Sequence, residues 1–413
     1  MKTLITSIIF LSVSLFGFAQ ETLNLNTAIG RALESNLGIQ VAQNATIVAQ
    51  NNASPGNAGM LPTVTANGSV NGSVTNTYIE FVGGNPPIDQ NGAQSATLSA
   101  NVQAQYVLFN GFLATNTLSK LHDQTDLAKA QSQVQTESIV MQVVQAYYQA
   151  LTVQNNIKAA ENALAISKER YDRAALRVEF GSSNKIAMLN AEVDMQNDSI
   201  TLVTLNQQLS NAKANLAYLM GQEGDVAFNL DEAVNLTNLV SKSEIESKAE
   251  STNASLLQAR AQANVAANDI EISKAYLFPR ISVNAGYSAS SNQNDASFIT
   301  TNRSSGLNGN LSLSYNIFDG GKNKIRQENA QIALDNAMLQ QDDVQRQLST
   351  QIDNAYTNYE NGRAIYQLRK ASVKVNEANF ERSQEAFRAG QITGTEFREA
   401  QLNLLNAQVQ ENL

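Results

Sequence analysis

Among side chains that can act as nucleophiles, redox centres or soft metal ligands, the sequence offers one histidine, His122, and no cysteine. Without a thiol there is no thiolate nucleophile, disulfide or cysteine-ligated zinc. A single imidazole cannot build a histidine-rich metal site, and His122 reads as a helix-surface residue. Hydrolytic and redox catalysis therefore lack a chemical foundation, and neither an enzymatic activity nor a cofactor is expected. The 28 basic and 37 acidic side chains, net −9, are spread along the chain without a Lys/Arg cluster. Nucleic-acid binding needs a basic face to neutralise phosphates, so it is set aside. Only 5 prolines in 413 residues, with a 43% hydrophobic fraction rich in Ala, favour long uninterrupted elements over a thick globular core.

What the residue spacing does carry is partition between water and hydrocarbon. From Thr63 to Thr75, Val64, Ala66, Gly68, Val70, Gly72 and Val74 alternate with Thr, Asn and Ser. Leu98, Ala100, Val102, Ala104, Tyr106 and Leu108 alternate with Ser99, Asn101, Gln103 and Gln105. The same pattern returns as Ile281, Val283, Ala285, Tyr287 and Ala289, and then as Leu307, Leu311, Leu313, Tyr315 and Ile317. Period 2 over ten or more residues predicts strands with one apolar and one polar face. Soluble sandwich strands alternate too, but they usually run about 5–6 residues, whereas a tilted membrane strand needs about 9–11. Tyr106 with Phe109, and Tyr315 with Phe318, stand near one strand end as an interfacial aromatic girdle would.

The elements that position these strands are duplicated. Tyr106-Val-Leu-Phe109-Asn-Gly111 recurs as Tyr315-Asn-Ile-Phe318-Asp-Gly320, an offset of 209 that also relates Ala146-Tyr147 to Ala355-Tyr356, Gly181 to Gly390 and Ala191 to Ala400. Upstream the offset is 217, relating Asn36 to Asn253 and Leu61-Pro62 to Phe278-Pro279. The change falls in the hairpin between the two strands of each copy, where length differences are tolerated. Carrying the offset forward from Gly221 runs past Leu413, so the last helix is expected to be cut short.

The boundaries follow. Met1-Lys2, an apolar run from Leu4 to Phe18 and the small residue Ala19 predict a signal peptide over 1–19, with no Cys after it to be lipidated. The first repeat, 20–221, holds a helix over 26–54, strands over 62–81 and 95–109, and a helical hairpin over 112–221. A linker over 222–243 follows, in which Asp225, Asp231 and Glu232 read as a solvated face. The second repeat, 244–413, holds a helix over 244–277, strands over 279–298 and 304–318, and a hairpin over 321–413. Leu113 to Glu179 contains no Pro or Gly and would reach roughly 100 Å as a helix. Ile157, Leu164, Tyr171 and Val178, with Ala160, Ser167 and Ala174, form a heptad seam, answered on the return by Leu202, Leu209 and Leu216 with Leu205, Ala212 and Leu219. Gly181 and Gly390 close the two hairpins.

Four strands cannot close a barrel in lipid, where the smallest common barrel has about 8 and no edge can stay open. Copies must pool strands, as a dimer, trimer or tetramer. The chain is thus an α+β membrane protein, read as a subunit of a transport conduit; the alternative is a structural or adhesive coiled coil anchored by its strands.

The order helix, strand, strand, long helix, Gly turn, helix, given twice after a signal peptide, resembles the TolC-type outer-membrane efflux proteins. The resemblance rests on Ala32-Leu33 with Asn36, Leu61-Pro62 and Phe278-Pro279 entering the sheet, and Phe109-Asn-Gly111 and Phe318-Asp-Gly320 leaving it. It implies a homotrimer in outer-membrane lipid of a Gram-negative cell, with a 12-stranded barrel continuous with a periplasmic helical barrel. Its implied partners are a periplasmic adaptor and an inner-membrane pump, for efflux or type I secretion. It also implies an acidic aperture six and nine residues after the second turn glycine, which here are Glu396 and Glu399. The corresponding first-copy residue is Ala187, so only one copy would be acidic there; the plain alternative is that both are solvent-facing helix acids. The residues flanking the turns are the candidate adaptor contacts: Arg177, Phe180, Gly181, Ser182, Ser183 and Asn184, and Phe387, Arg388, Gly390, Gln391, Ile392 and Thr393.

Overall fold

A computed structural model describes residues 21–84, 86–182, 184–223, 228–232, 240–297 and 299–413. The expected signal peptide, Ser183 and Asp225 lie outside them. The chain divides into two compact units, one of residues 42–134 and 247–349, the other of residues up to 41, 135–246 and 350–413.

The first of these holds the sheet. Strands β2 (Thr63–Ile79), β3 (Ile88–Phe109), β5 (Arg280–Asn294) and β6 (Thr301–Ser314) pair in that order, every neighbour antiparallel. The junction β3–β5 joins the two repeats, from Ser95 opposite Asn294 to Phe109 opposite Ile281. Apolar positions align across all four strands, as in the row Ala66, Val102, Tyr287 and Leu307. On the other face a row of serines does the same: Ser69 and Ser99 hydroxyls lie 2.7 Å apart, and Ser290 and Ser304 lie 2.9 Å apart. Among the described residues none covers the apolar face. Leu307 is 87% exposed and Val70 77%. All four helical connections leave one end of the sheet, and the two hairpin turns lie at the other.

Several boundaries differ from the sequence reading. Strand β3 begins at Ile88, not 95, because a bulge at Thr75–Thr77 lets the pairing continue to Ile79 opposite Ile88; Pro86 and Pro87, which have no N–H to donate, precede it. Strand β6 runs over Thr301–Ser314, earlier at both ends than 304–318. Tyr315 and Phe318 therefore stand beyond the strand, in the turn towards Gly320. In the first repeat Phe109 packs edge-to-face on Phe112 and Phe278, with centroids 5.6 and 6.4 Å away, so it closes the junction between sheet and helix.

The helix expected over 26–54 is two, α1 (Leu25–Ser35) and α2 (Leu37–Asn52). Asn36 separates them: its Oδ1 accepts from Gly38 N at 2.8 Å and Ile39 N at 3.2 Å, and its Nδ2 donates to Leu219 O at 2.8 Å. The helix expected over 244–277 likewise divides into α5 (Lys242–Thr252) and α6 (Ala254–Lys274), where Asn253 caps Leu256 N at 3.0 Å. An asparagine side chain that satisfies the first N–H groups of the next helix starts it afresh. In the sheet-bearing unit α6 packs on α7 (Lys322–Arg388) through Ala263, Ala266 and Ala337, a seam of small residues.

In the second unit the linker contributes core. Short strand β4 (Phe228–Leu230) pairs in parallel with β1 (Glu21–Leu23). Phe228 and Leu230 are buried with Leu23, Leu216, Met220 and Ile39. The Tyr147 hydroxyl lies 3.0 Å from both the Leu23 and Asp231 carbonyl oxygens, and burial raises its pKa. Glu232 pairs with Lys158 at the surface. Helices α3 (Leu113–Glu179) and α7 carry residues in both units.

The repeated glycines are not equivalent. Gly111 has φ 67°, and a Cβ there would stand 2.3 Å from Ala275 O and 2.7 Å from Phe278 Cβ, whereas at Gly320, φ 69°, it would meet nothing within 4 Å. Gly111→Ala is expected to lower the melting temperature of the detergent-solubilised protein strongly. Gly320→Ala should cost only the left-handed backbone strain, about 1–2 kcal/mol. Equal losses by thermal denaturation would show that the Ala275 contact does not matter.

Candidate functional site

Two helical hairpin tips lie in the second unit. At the first, α3 ends in Arg177-Val178-Glu179, and Gly181 adopts φ 69°. Gly181 N donates to Val178 O at 3.0 Å and Ser182 N to Arg177 O at 2.8 Å, the paired bonds of a Schellman motif. Asn184 then caps α4 (Lys185–Leu219), accepting from Ile186 N at 2.6 Å and Ala187 N at 3.2 Å. The second tip repeats the stop: Gly390 has φ 75°, Gly390 N donates to Phe387 O at 3.1 Å and Gln391 N to Ala386 O at 2.8 Å.

Its restart is different. Thr393 caps α8 (Gly394–Asn412) in a reciprocal box: Glu396 N donates to Thr393 Oγ1 at 3.2 Å, and the Glu396 carboxylate accepts from Thr393 N at 2.7 Å. The Thr393 backbone N–H, and then its hydroxyl, hold the Glu396 carboxyl below the usual range. With the folded pKa lowered, the box contributes fully above the ordinary glutamate pKa and is lost as pH falls through the lowered value. Glu396 and Glu399 are both exposed.

The tip candidates are not alike in environment. Phe180 is 80% exposed. Phe387 is half-buried and stacks on Phe397, with centroids 4.8 Å apart and planes at 3°, and Phe380 completes the group. A groove of about 560 Å³ brings Arg177 of the first tip beside Phe387, Gly390, Ile392 and Thr393 of the second. Phe180, Gly181, Ser182, Asn184, Arg388, Gln391, Glu396 and Glu399 do not line it.

Beneath the groove is a buried polar network. Arg398 of α8 grips Asp198 of α4 bidentately, Nη1 to Oδ2 and Nη2 to Oδ1, both at 2.7 Å. Ser167 of α3, fully buried, donates to the same carboxylate. Arg170 of α3 pairs with Asp194 of α4, and Gln401 of α8 donates to Ala163 O at 2.8 Å and Ser167 Oγ at 3.1 Å. Burial first, then the nearby Arg398 charge, pushes the Arg170 pKa down to about 10 against the pull of Asp198, so the guanidinium stays charged at neutral pH. These residues tie both hairpins together, and the sequence reading named only Ser167, as a small seam residue. The available signal was charge at seam spacing, with Asp194 and Asp198 one helical turn apart on one face. Of the expected seam, Ile157, Ala160, Ser167, Leu216 and Leu219 are buried, while Leu164, Tyr171, Ala174, Val178, Leu202, Leu205, Leu209 and Ala212 are half-buried.

Among the described residues no His, Cys, Asp and Glu group could hold a metal ion, and no helix is long and apolar enough to cross a membrane. With this geometry in view, the family model described as "Outer membrane efflux protein" matches residues 28–222 and 246–413. The chain belongs to the outer membrane efflux protein family. Its location is accordingly the outer membrane. This efflux-family chain is 26% identical over 212 residues to the outer membrane protein TolC of Vibrio cholerae, covering 50% of the chain and 48% of that protein. It thus spans about half the length of that relative. It is 22% identical over 339 residues to the outer membrane efflux protein BepC of Brucella suis, covering 81% of the chain and 72% of that protein. Its fold matches the crystal structure of the Campylobacter jejuni CmeC outer membrane channel with TM-score 0.75 at 17% identity, over 94% of the chain and 81% of that structure.

Removing one partner of the buried pair leaves a charge without compensation, which costs about 3–5 kcal/mol. Asp198→Ala is expected to destabilise the tip unit by that order, read as a lowered melting temperature in far-UV circular dichroism. Replacing the pair together, Asp198→Leu with Arg398→Met, should recover most of the loss.

Proposed function

We propose that the chain is one of three copies forming an outer-membrane conduit that carries substrates passively from a periplasmic adaptor and an inner-membrane pump. The observation that carries this reading is the four-stranded sheet with an exposed apolar face and free edges at β2 and β6. Backbone groups at a free edge have no hydrogen-bond partner in hydrocarbon, so the edges must meet those of other copies. Three copies supply twelve strands, the number the family resemblance implies, and the polar face then lines a wet lumen. The same assembly would gather the helical hairpins into a periplasmic tunnel. Whether the pump drives efflux or protein secretion, the chain's task is the same.

At the tips, Arg177 to Asn184 and Phe387 to Thr393 are the proposed adaptor contacts; of these, Arg177, Phe387, Gly390, Ile392 and Thr393 line one groove. Deleting either tip segment is expected to abolish export in cells while assembled oligomer survives on gels; export that persists would remove the contact role.

Glu396 and Glu399 are the proposed acidic ring of the aperture, attracting cations into a narrow mouth. The capping role of Glu396 shapes the test, because glutamine also serves at that position of a capping box. Glu396→Gln with Glu399→Gln therefore removes charge while keeping the helix start. In planar-bilayer recordings the double variant should lose cation preference and sensitivity to multivalent-cation block. Unchanged selectivity would eliminate the ring, and a wild-type protein that does not conduct would leave only a structural anchor.

A further inference from the structure

Among the described residues the four strands carry three charges: Asp89, opposite Tyr78 at the hairpin end of β2 and β3, and further into the sheet Arg280 and Arg303. Alternation puts Arg280 on the polar face with Ser282 and Asn284. Arg303 falls on the apolar face, in the row Val70, Leu98, Ser291 and Arg303 and on the same side of β6 as Leu307, Leu311 and Leu313. It is exposed, and no ion pair among the described residues involves it.

Its depth is set by the strand. Ten residues separate Arg303 from Leu313, about 33 Å along the strand and about 25 Å along the membrane normal at the usual barrel tilt. That is the height of a lipid-facing apolar band. The helices leave at the Leu313 end, so Arg303 stands at the far margin, on the hairpin side. There the face itself changes: Ser291 pairs opposite, and Thr301 and Ser305 flank Arg303 on the same side. A lipid-facing cation is strongly disfavoured at the bilayer midplane but tolerated near the interface. The strand that closes on the free edge of β6 brings no counter-charge either. If it is β2 of the next copy, Thr63 to Thr75 contains no Asp or Glu in any register.

From this placement we infer that Arg303 binds a phosphate on the headgroup of an outer-leaflet glycolipid. A guanidinium matches a phosphate with two parallel N–H donors, and the flanking hydroxyls of Ser291 and Thr301 supply further donors. The inference rests on the sheet facing lipid as part of the proposed conduit.

The test is native mass spectrometry of the full-length, detergent-solubilised protein with added bisphosphorylated lipid A or its dephosphorylated form. Wild type should retain the bisphosphorylated lipid roughly tenfold better, the size of a charge-assisted hydrogen-bond pair. Arg303→Gln should retain both forms alike, Arg303→Lys should keep part of the preference, and Arg280→Gln should keep all of it. Bilayer conductance of the same preparations separates the two layers of the claim. Conducting wild type and Arg303→Gln with equal lipid preference would overturn the lipid site alone. A wild type that does not conduct would overturn the conduit, and the lipid site with it.

Discussion

In hydrocarbon a backbone N–H or C=O has no water to replace a missing partner, and each one left open costs several kcal/mol. The rest of this molecule depends on that constraint. Four strands offer two free edges, at β2 and β6, so the chain is incomplete as a membrane object by itself. The apolar side chains of the sheet, Leu307, Leu313 and Val70 among them, stay exposed in the single copy, with no described residue packed over them. Stability within one copy must come from elsewhere. It comes from helix seams of small residues and from the compact core around Leu23, Tyr147, Leu216 and Phe228.

Duplication supplies the plan, and the two copies then diverge in the details that bear load. Asn36 and Asn253 both interrupt a helix; Asn36 also reaches across to a second helix, through Leu219 O, while Asn253 caps its own. Gly111 sits against Ala275 and Phe278, while its counterpart Gly320 stands in open space. Both hairpins stop with the same paired backbone bonds at glycine. One restarts on asparagine, the other on a threonine–glutamate box. The second tip thus carries a carboxylate whose position is set by the helix start, and Ala187 at the matching place in the first tip has none.

Beneath the tips, the Arg398–Asp198 and Arg170–Asp194 pairs join three helices through buried charge. Such pairs do not outperform a well-packed apolar contact in stability, because desolvation offsets most of the attraction. Their value lies in geometry. A bidentate guanidinium accepts one orientation, so the first hairpin and α8 are held in register below the groove that joins the tips.

Much of this was legible in the sequence because it rests on local periodicity. Period-2 alternation marked the four strands, the heptad spacing marked the seam that buries Ile157, Ser167 and Leu216, and the offset of 209 marked the duplication. What stayed hidden depends on contacts between residues far apart in the chain. Asn36 within a helix-forming stretch looked like helix until its side chain was seen capping the next one. Phe228 and Leu230 looked like linker because a three-residue strand has no pattern until its partner Glu21–Leu23 lies beside it. Asp198 and Arg398 carried no signal as a pair, since two hundred residues separate them and only the folded hairpins bring them to 2.7 Å. The sequence by itself determined the elements, the repeat and the need for other copies, all of which follow from the period of the side chains. Only the tertiary structure decided where helices break, which charges are buried and which face Arg303 shares, because those are set by what each side chain meets across the fold.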